Sequence, residues 1–180
     1  MRTLLTSLLC ILSFAPQPVD AAENVANSIL ERSGIQGGLV IELGYVDAGF
    51  TTALGARDAL VVQSLDANPA RVALGREEIQ KRGQYGKISV AQVSGDRLPF
   101  ADNLVNLIVI HDLGPENTAQ GVSREEIMRV LAPGGALCSE VKLSGSSEFK
   151  VTHKPWPEEI DQWTHFLHSS AGNAVADDQE

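Results

Sequence analysis

The sequence predicts an α/β protein built on a doubly wound, mostly parallel sheet of about five strands. Three observations predict it. Short apolar runs at 39–43, 59–65, 88–93, 104–110 and 136–141 alternate with segments of helical periodicity. The run from Leu104 to Ile110 is apolar almost throughout, as in a strand covered on both faces. The intervening helices carry their own start signals: Asn68-Pro69 at one, Ser123-Arg124-Glu125-Glu126 at another. At 180 residues and 43% apolar, the chain suits one globular domain. Its formal charge of −9 argues against a phosphate-binding surface, and so against nucleic acid as a direct partner.

The first 21 residues read as a signal rather than as part of that fold. Met1-Arg2 is followed by an apolar run from Leu4 to Phe14, then Pro16, Pro18 and the small residues Ala21-Ala22. This is the layout of a cleaved secretory signal, and the run is too short to span a bilayer permanently. The expected product is exported, periplasmic or secreted, with no stable membrane span after cleavage. Cys10 leaves with the signal, so Cys138 has no internal disulfide partner.

The elements then follow in order. Residues 23–33 place Val25, Ile29 and Leu30 on one helical face, with Gly34 as a stop. Leu39 to Leu43 is the first strand, ending at Gly44, and a short helix over 49–56 precedes the second strand, Ala59 to Leu65. The helix begun by Asn68-Pro69 stops near Gly83. Ile88 to Val93 and Leu104 to Ile110 are the third and fourth strands. The helix from Ser123 ends at Pro133-Gly134-Gly135, and Ala136 to Val141 is the fifth strand. Residues 142–153, with Ser144-Gly145-Ser146-Ser147, read as a polar linker. Residues 154–180 read as a helical tail, with Ile160, Trp163 and Leu167 on one face.

Ligands of an open parallel sheet bind beyond the carboxyl ends of the strands, where strand order reverses. Three acids fall there: Glu42 at the end of the first strand, Asp66 closing the second and Asp96 after the third. Any one alone is an ordinary loop carboxylate, but the ordered set is more specific, and an acid closing the second strand suits the two hydroxyls of a ribose. No Ser-His-Asp or paired-carboxylate arrangement is evident, so the catalytic residues stay unassigned. His153, His165 and His168 lack a fourth ligand, and no metal is expected. Trp156 and Trp163 read as packing anchors and Cys138 as a buried, unreactive thiol.

The stretches Ile41-Glu42-Leu43-Gly44, Leu65-Asp66-Ala67-Asn68-Pro69, Gly95-Asp96-Arg97-Leu98-Pro99-Phe100-Ala101-Asp102-Asn103 and Met128-Arg129-Val130-Leu131-Ala132-Pro133-Gly134-Gly135 resemble successive motifs of class I S-adenosylmethionine-dependent methyltransferases of the type-11 kind. The resemblance implies a Rossmann-like methyltransferase domain over residues 22–141 with S-adenosylmethionine as cofactor. Glu42 and Gly44 would hold its methionine portion, Asp66 its ribose and Asp96 its adenine. Val46 and Ala48 stand where the family's first turn has its second and third glycines. The sheet is expected to be incomplete at its C-terminal end, without the family's last hairpin. The segment from Lys154 to Ala176 resembles the junction, in large secreted bacterial proteins, between such a domain and a quinoprotein-like β-propeller, so this chain would stop where the propeller begins. Two functions follow from the resemblance: a methyltransferase of unassigned acceptor, or a non-catalytic docking module with a propeller-domain partner.

Overall fold

The computed structural model describes residues 21–111, 121–143 and 146–157, with side chains except at 21, 141–143 and 146–148. The expected signal, up to residue 20, and the tail helix with Trp163, His165 and His168 lie outside the described residues.

The chain runs α1 (Ala21–Ser33), β1 (Gly38–Leu43), α2 (Ala48–Leu54), β2 (Leu60–Asp66), α3 (Pro69–Lys81), β3 (Ile88–Gln92), β4 (Val105–Ile110), α4 (Arg124–Val130), β5 (Leu131–Leu143) and β6 (Ser146–His153). The sheet order is β3-β2-β1-β4-β5-β6, with the first five strands parallel and β6 antiparallel to β5. Strand order reverses between β1 and β4, so their carboxyl ends frame the crevice where this architecture binds ligands.

Side chains of the inner strands alternate between two cores. Val40, Leu107, Val109, Ala136 and Cys138 face α1, α2 and α3, where they meet Ile29, Leu30, Phe50 and Leu54. Ile41, Leu43, Ile108, Ile110 and Leu137 face the other way, onto Leu98, Ile127 and Val130. Each fully buried Leu or Ile contributes about 1.5–3 kcal/mol. With no described disulfide, these two layers hold the fold. Cys138 is completely buried, which pushes its thiol up to about 11 and leaves it inert at neutral pH.

The polar linker expected at 142–153 is instead strand. Leu143 pairs with Ser146 and Ala136 with His153, so β5 and β6 form an antiparallel hairpin that extends the sheet past residue 141. Phe149 and Val151, two apart, pack onto the α1 side, while Lys150 between them is charged. A one-faced edge strand needs no more apolar residues than that. The strand is fastened to the helices as well: His153 Nε2 lies 3.0 Å from the Ser33 carbonyl. Lys154 Nζ donates to the carbonyls of Met128 and Leu131 at the C-terminal end of α4, 2.7 Å each.

One helix face and one boundary also move. Val25 is exposed, and the buried stripe of α1 is Ala26, Ile29 and Leu30. Pro133-Gly134-Gly135 does not separate helix from strand but lies inside β5, where the register against β4 shifts. A side chain at Gly135 would press on the Ala132 and Asn106 carbonyls, so glycine lets the backbones approach.

Arg129 ties the 98–103 loop to α4. It pairs with Glu126 and Asp102 and donates to the Phe100 carbonyl at 3.0 Å, while Glu126 accepts from the Leu98 amide at 2.7 Å. The Arg129 guanidinium, with help from the Leu98 amide, holds the Glu126 carboxyl down at about 2. A carboxylate whose folded pKa is depressed stabilises the fold above its unfolded value and loses that contribution as pH falls. The Glu126 contribution is therefore complete above the ordinary 4.5 and fades between about pH 4.5 and 2. Urea midpoints measured across that window should fall less steeply for Glu126→Gln than for the parent; parallel curves would mean the carboxylate carries none of the acid sensitivity.

Candidate active site

β1 ends in a turn that only glycine makes comfortably, with Gly44 at φ +93° and its amide donating to the Leu65 carbonyl at 2.8 Å. The next residue locks the turn to β2, as the Tyr45 amide donates to Asp66 Oδ2 at 3.0 Å. The Tyr45 hydroxyl reaches Glu78 of α3, and its ring lies against Gly75, where a Cβ would stand 3.0 Å from ring carbons. Gly44 is the turn's sole residue of positive φ. Val46 and Ala48 therefore fit without strain: Ala48 opens α2, and Asp47 caps it by accepting from the Phe50 amide at 2.9 Å.

Asp66 is wholly buried and saturated with donors. Besides Tyr45, it accepts from the Asn68 amide at 2.7 Å and from Arg71 at 2.9 and 3.0 Å. Arg71, on the first turn of α3, is 53% exposed. The guanidinium thus covers the carboxylate from the solvent side.

Glu42 lies beneath the rim, fully buried, on the α1–α3 side of β1. Its Oε2 accepts from the Thr51 hydroxyl at 2.8 Å, and its Oε1 stands 3.4 Å from His111 Nε2. Among the described residues, neither of those two facing atoms has a hydrogen-bond partner, and neither has the hydroxyl of Ser64, which pairs with Glu42 across β1 and β2. Three orphaned polar atoms on one face are unusual, since buried polar groups are nearly always bonded.

His111 continues β4 at the rim, its amide donating to the Leu43 carbonyl at 3.2 Å. Its ring stands between Phe50 and Phe149, with centroids 4.7 and 5.8 Å away in edge-to-face arrangement. Beside it opens a cavity of about 550 Å³, lined chiefly by apolar atoms from α1, Val46, Phe50, Phe149 and Val151. Arg32 and Glu140 supply its charged positions.

Glu42, Gly44 and Asp66 thus come together at the carboxyl ends of β1 and β2. Asp96 does not join them. It is exposed in the loop after β3, in a separate concavity with Arg97 and the α4 residues Glu126 and Arg129. His111 was invisible as a site residue in the sequence. The one available signal was that it keeps the alternation of Leu107 and Val109, and so falls on the same face as Glu42.

Comparison with known proteins agrees with this architecture. Among solved structures, a SAM-dependent methyltransferase from Aquifex aeolicus superposes with a TM-score of 0.55 at 20% identity, covering 71% of this chain and 72% of that one. Geranyl diphosphate C-methyltransferase from Streptomyces coelicolor, solved with S-adenosyl-L-homocysteine, gives 0.55 at 14% identity, covering 64% and 43%. These likenesses are of fold. In sequence, the chain is 29% identical over 157 residues to the ubiquinone/menaquinone biosynthesis C-methyltransferase UbiE of Yersinia enterocolitica, covering 84% of this chain and 59% of that protein. The corresponding Yersinia pestis protein is 29% identical over 138 residues, 76% of this chain and 51% of its own length. The chain therefore spans only some half to three-fifths of the curated relatives it matches. The ubiE/COQ5 methyltransferase family model aligns with residues 22–180, from the start of α1 through every strand of the sheet, and the chain belongs to that family.

Proposed function

We propose that the chain binds S-adenosylmethionine at the Gly44–Asp66 rim and transfers its methyl group to a largely apolar acceptor in the adjoining cavity. The observation that carries this reading is a shared wall. Tyr45 bonds Asp66 on the donor side, while the next residue, Val46, lines the apolar cavity. Donor and acceptor places then adjoin across one turn, and methyl transfer depends chiefly on holding two reactants in register.

The residues present fit the cofactor at its ribose. The Asp66 carboxylate is oriented in advance by the Tyr45 and Asn68 amides. Arg71 holds it through an ion pair whose arginine is half exposed, so the guanidinium can swing into water and yield its place to a ribose. When bound, the cofactor supplies an electrophilic methyl on a sulfonium. The chain's own part is to hold that group against the turn and to dry the acceptor side with Phe50, Phe149 and Val151. The Yersinia relatives are named as C-methyltransferases of quinone biosynthesis, which supports methylation at carbon of an apolar acceptor here.

Calorimetry of the chain with S-adenosylhomocysteine should give micromolar binding. No heat and no thermal shift at millimolar ligand would overturn the reading.

A further inference from the structure

We infer that His111 is the proton acceptor for a hydroxyl-bearing methyl acceptor, and that Glu42 positions it for that work. This deepens the methyl-transfer reading and rests on it. The inference stands on geometry. Glu42 Oε1 and His111 Nε2 face each other at 3.4 Å, and neither has a hydrogen-bond partner among the described residues. Glu42 is held from the other side by Thr51. A buried carboxylate with one neutral donor calls for a second partner, and His111 is placed to be it. Apo catalytic contacts are commonly long and tighten when the site fills.

The pairing sets the tautomer. With the Nε2 proton directed at Glu42, Nδ1 carries the ring's lone pair, and His111 lines the cavity in which a methyl acceptor would sit. Phe50 and Phe149 fix the ring edge-on, so the imidazole cannot tumble away. The occupant such a site selects has an apolar body and an ionisable hydroxyl.

The step balances without any further reagent. The hydroxyl proton passes to Nδ1, and the imidazolium is stabilised by the Glu42 carboxylate. The oxyanion, or the ring carbon conjugated to it, forms the new bond to the methyl carbon as the carbon–sulfur bond breaks. That bond's electron pair stays on sulfur, giving a neutral thioether, and His111 then releases its proton to solvent.

Among the described residues, Glu42 from β1 faces His111, and Glu140 from β5 and Arg32 from α1 are the charged groups lining the same cavity. Glu140 opposes an anionic occupant and Arg32 favours one, so the test compares variants in which both remain. The probe is 4-nitrophenol, whose ionised form is coloured. Bound to the full chain, it should ionise about one pH unit below the free compound. In His111→Phe, which keeps the apolar wall, the probe should still bind while that shift disappears; His111→Gln serves as a second variant of the same kind. Glu42→Gln should reduce the shift while leaving the ring in place. An equal shift in parent and His111 variants, or no binding of the probe at all, would overturn the inference. S-adenosylhomocysteine calorimetry on the same variants separates the two claims. Binding of that ligand without a His111-dependent shift sinks only the proton acceptor, and a His111-dependent shift without it sinks only methyl transfer.

Discussion

Asp66→Ala is expected to cost the fold about 3–5 kcal/mol, the range for breaking a buried charged network from one side. Asp66 is wholly buried and accepts from four donors, two of them backbone amides. Its removal orphans the Tyr45 and Asn68 amides, at about 1–3 kcal/mol each, and frees the turn that shapes the rim. Arg71→Ala is expected to behave quite differently. Arg71 is half exposed, so its loss opens Asp66 to water instead of stranding a charge, and the cost should stay within about 1 kcal/mol. It should also tighten S-adenosylhomocysteine binding severalfold, because the guanidinium no longer occupies the oxygens a ribose would use. Urea midpoints and calorimetry on the two variants decide the matter. Equal destabilisation would make Asp66 merely half of an ion pair, and weaker ligand binding in Arg71→Ala would make Arg71 part of the ligand site.

What the sequence disclosed and what it hid follow from one distinction. Periodicity within a segment is local, so the parallel strands, the capped helices and the acid closing β2 could all be read directly. Pairing between segments is not local. Glu42 and His111 meet because β1 and β4 are neighbours with Glu42 beside Val109, a fact of strand order and register. Nothing in either segment alone announces it. Ser146–His153 escaped for a related reason, since an edge strand buries one face and leaves a largely polar sequence that passes for linker. The donors on Asp66 show the limit from the other side: its acidity and position at the end of β2 were plain, but the Arg71 clasp depends on how α3 leaves that strand. Asp96 was legible as an acid after β3, but its sharing of a concavity with Glu126 and Arg129 of α4 depends on the path of the loop between them.

Gly38→Ala is expected to destabilise by about 3–4 kcal/mol from the opposite end of β1, without touching the rim. Gly38 opens β1 at φ +105°, where any side chain is strained by about 1–3 kcal/mol. A Cβ there would also overlap the Asn106 side-chain amide. That amide cannot step aside freely, because its Oδ1 accepts from the Leu39 amide at 3.0 Å and joins the first turns of β1 and β4. Asn106→Ala alone should cost about 1–2 kcal/mol, the value of one part-buried hydrogen bond and its orphaned donor. In the double variant the overlap is gone and only strain and the lost bond remain. The two costs should then fall short of their sum by at least about 1 kcal/mol. Strict additivity in urea unfolding would mean the methyl never meets Asn106, leaving strain as the whole effect. Because both residues lie at the opposite end of the strands from Gly44 and Asp66, ligand affinity per folded chain should be unchanged in all three variants, separating the scaffold's stability from the chemistry at its rim.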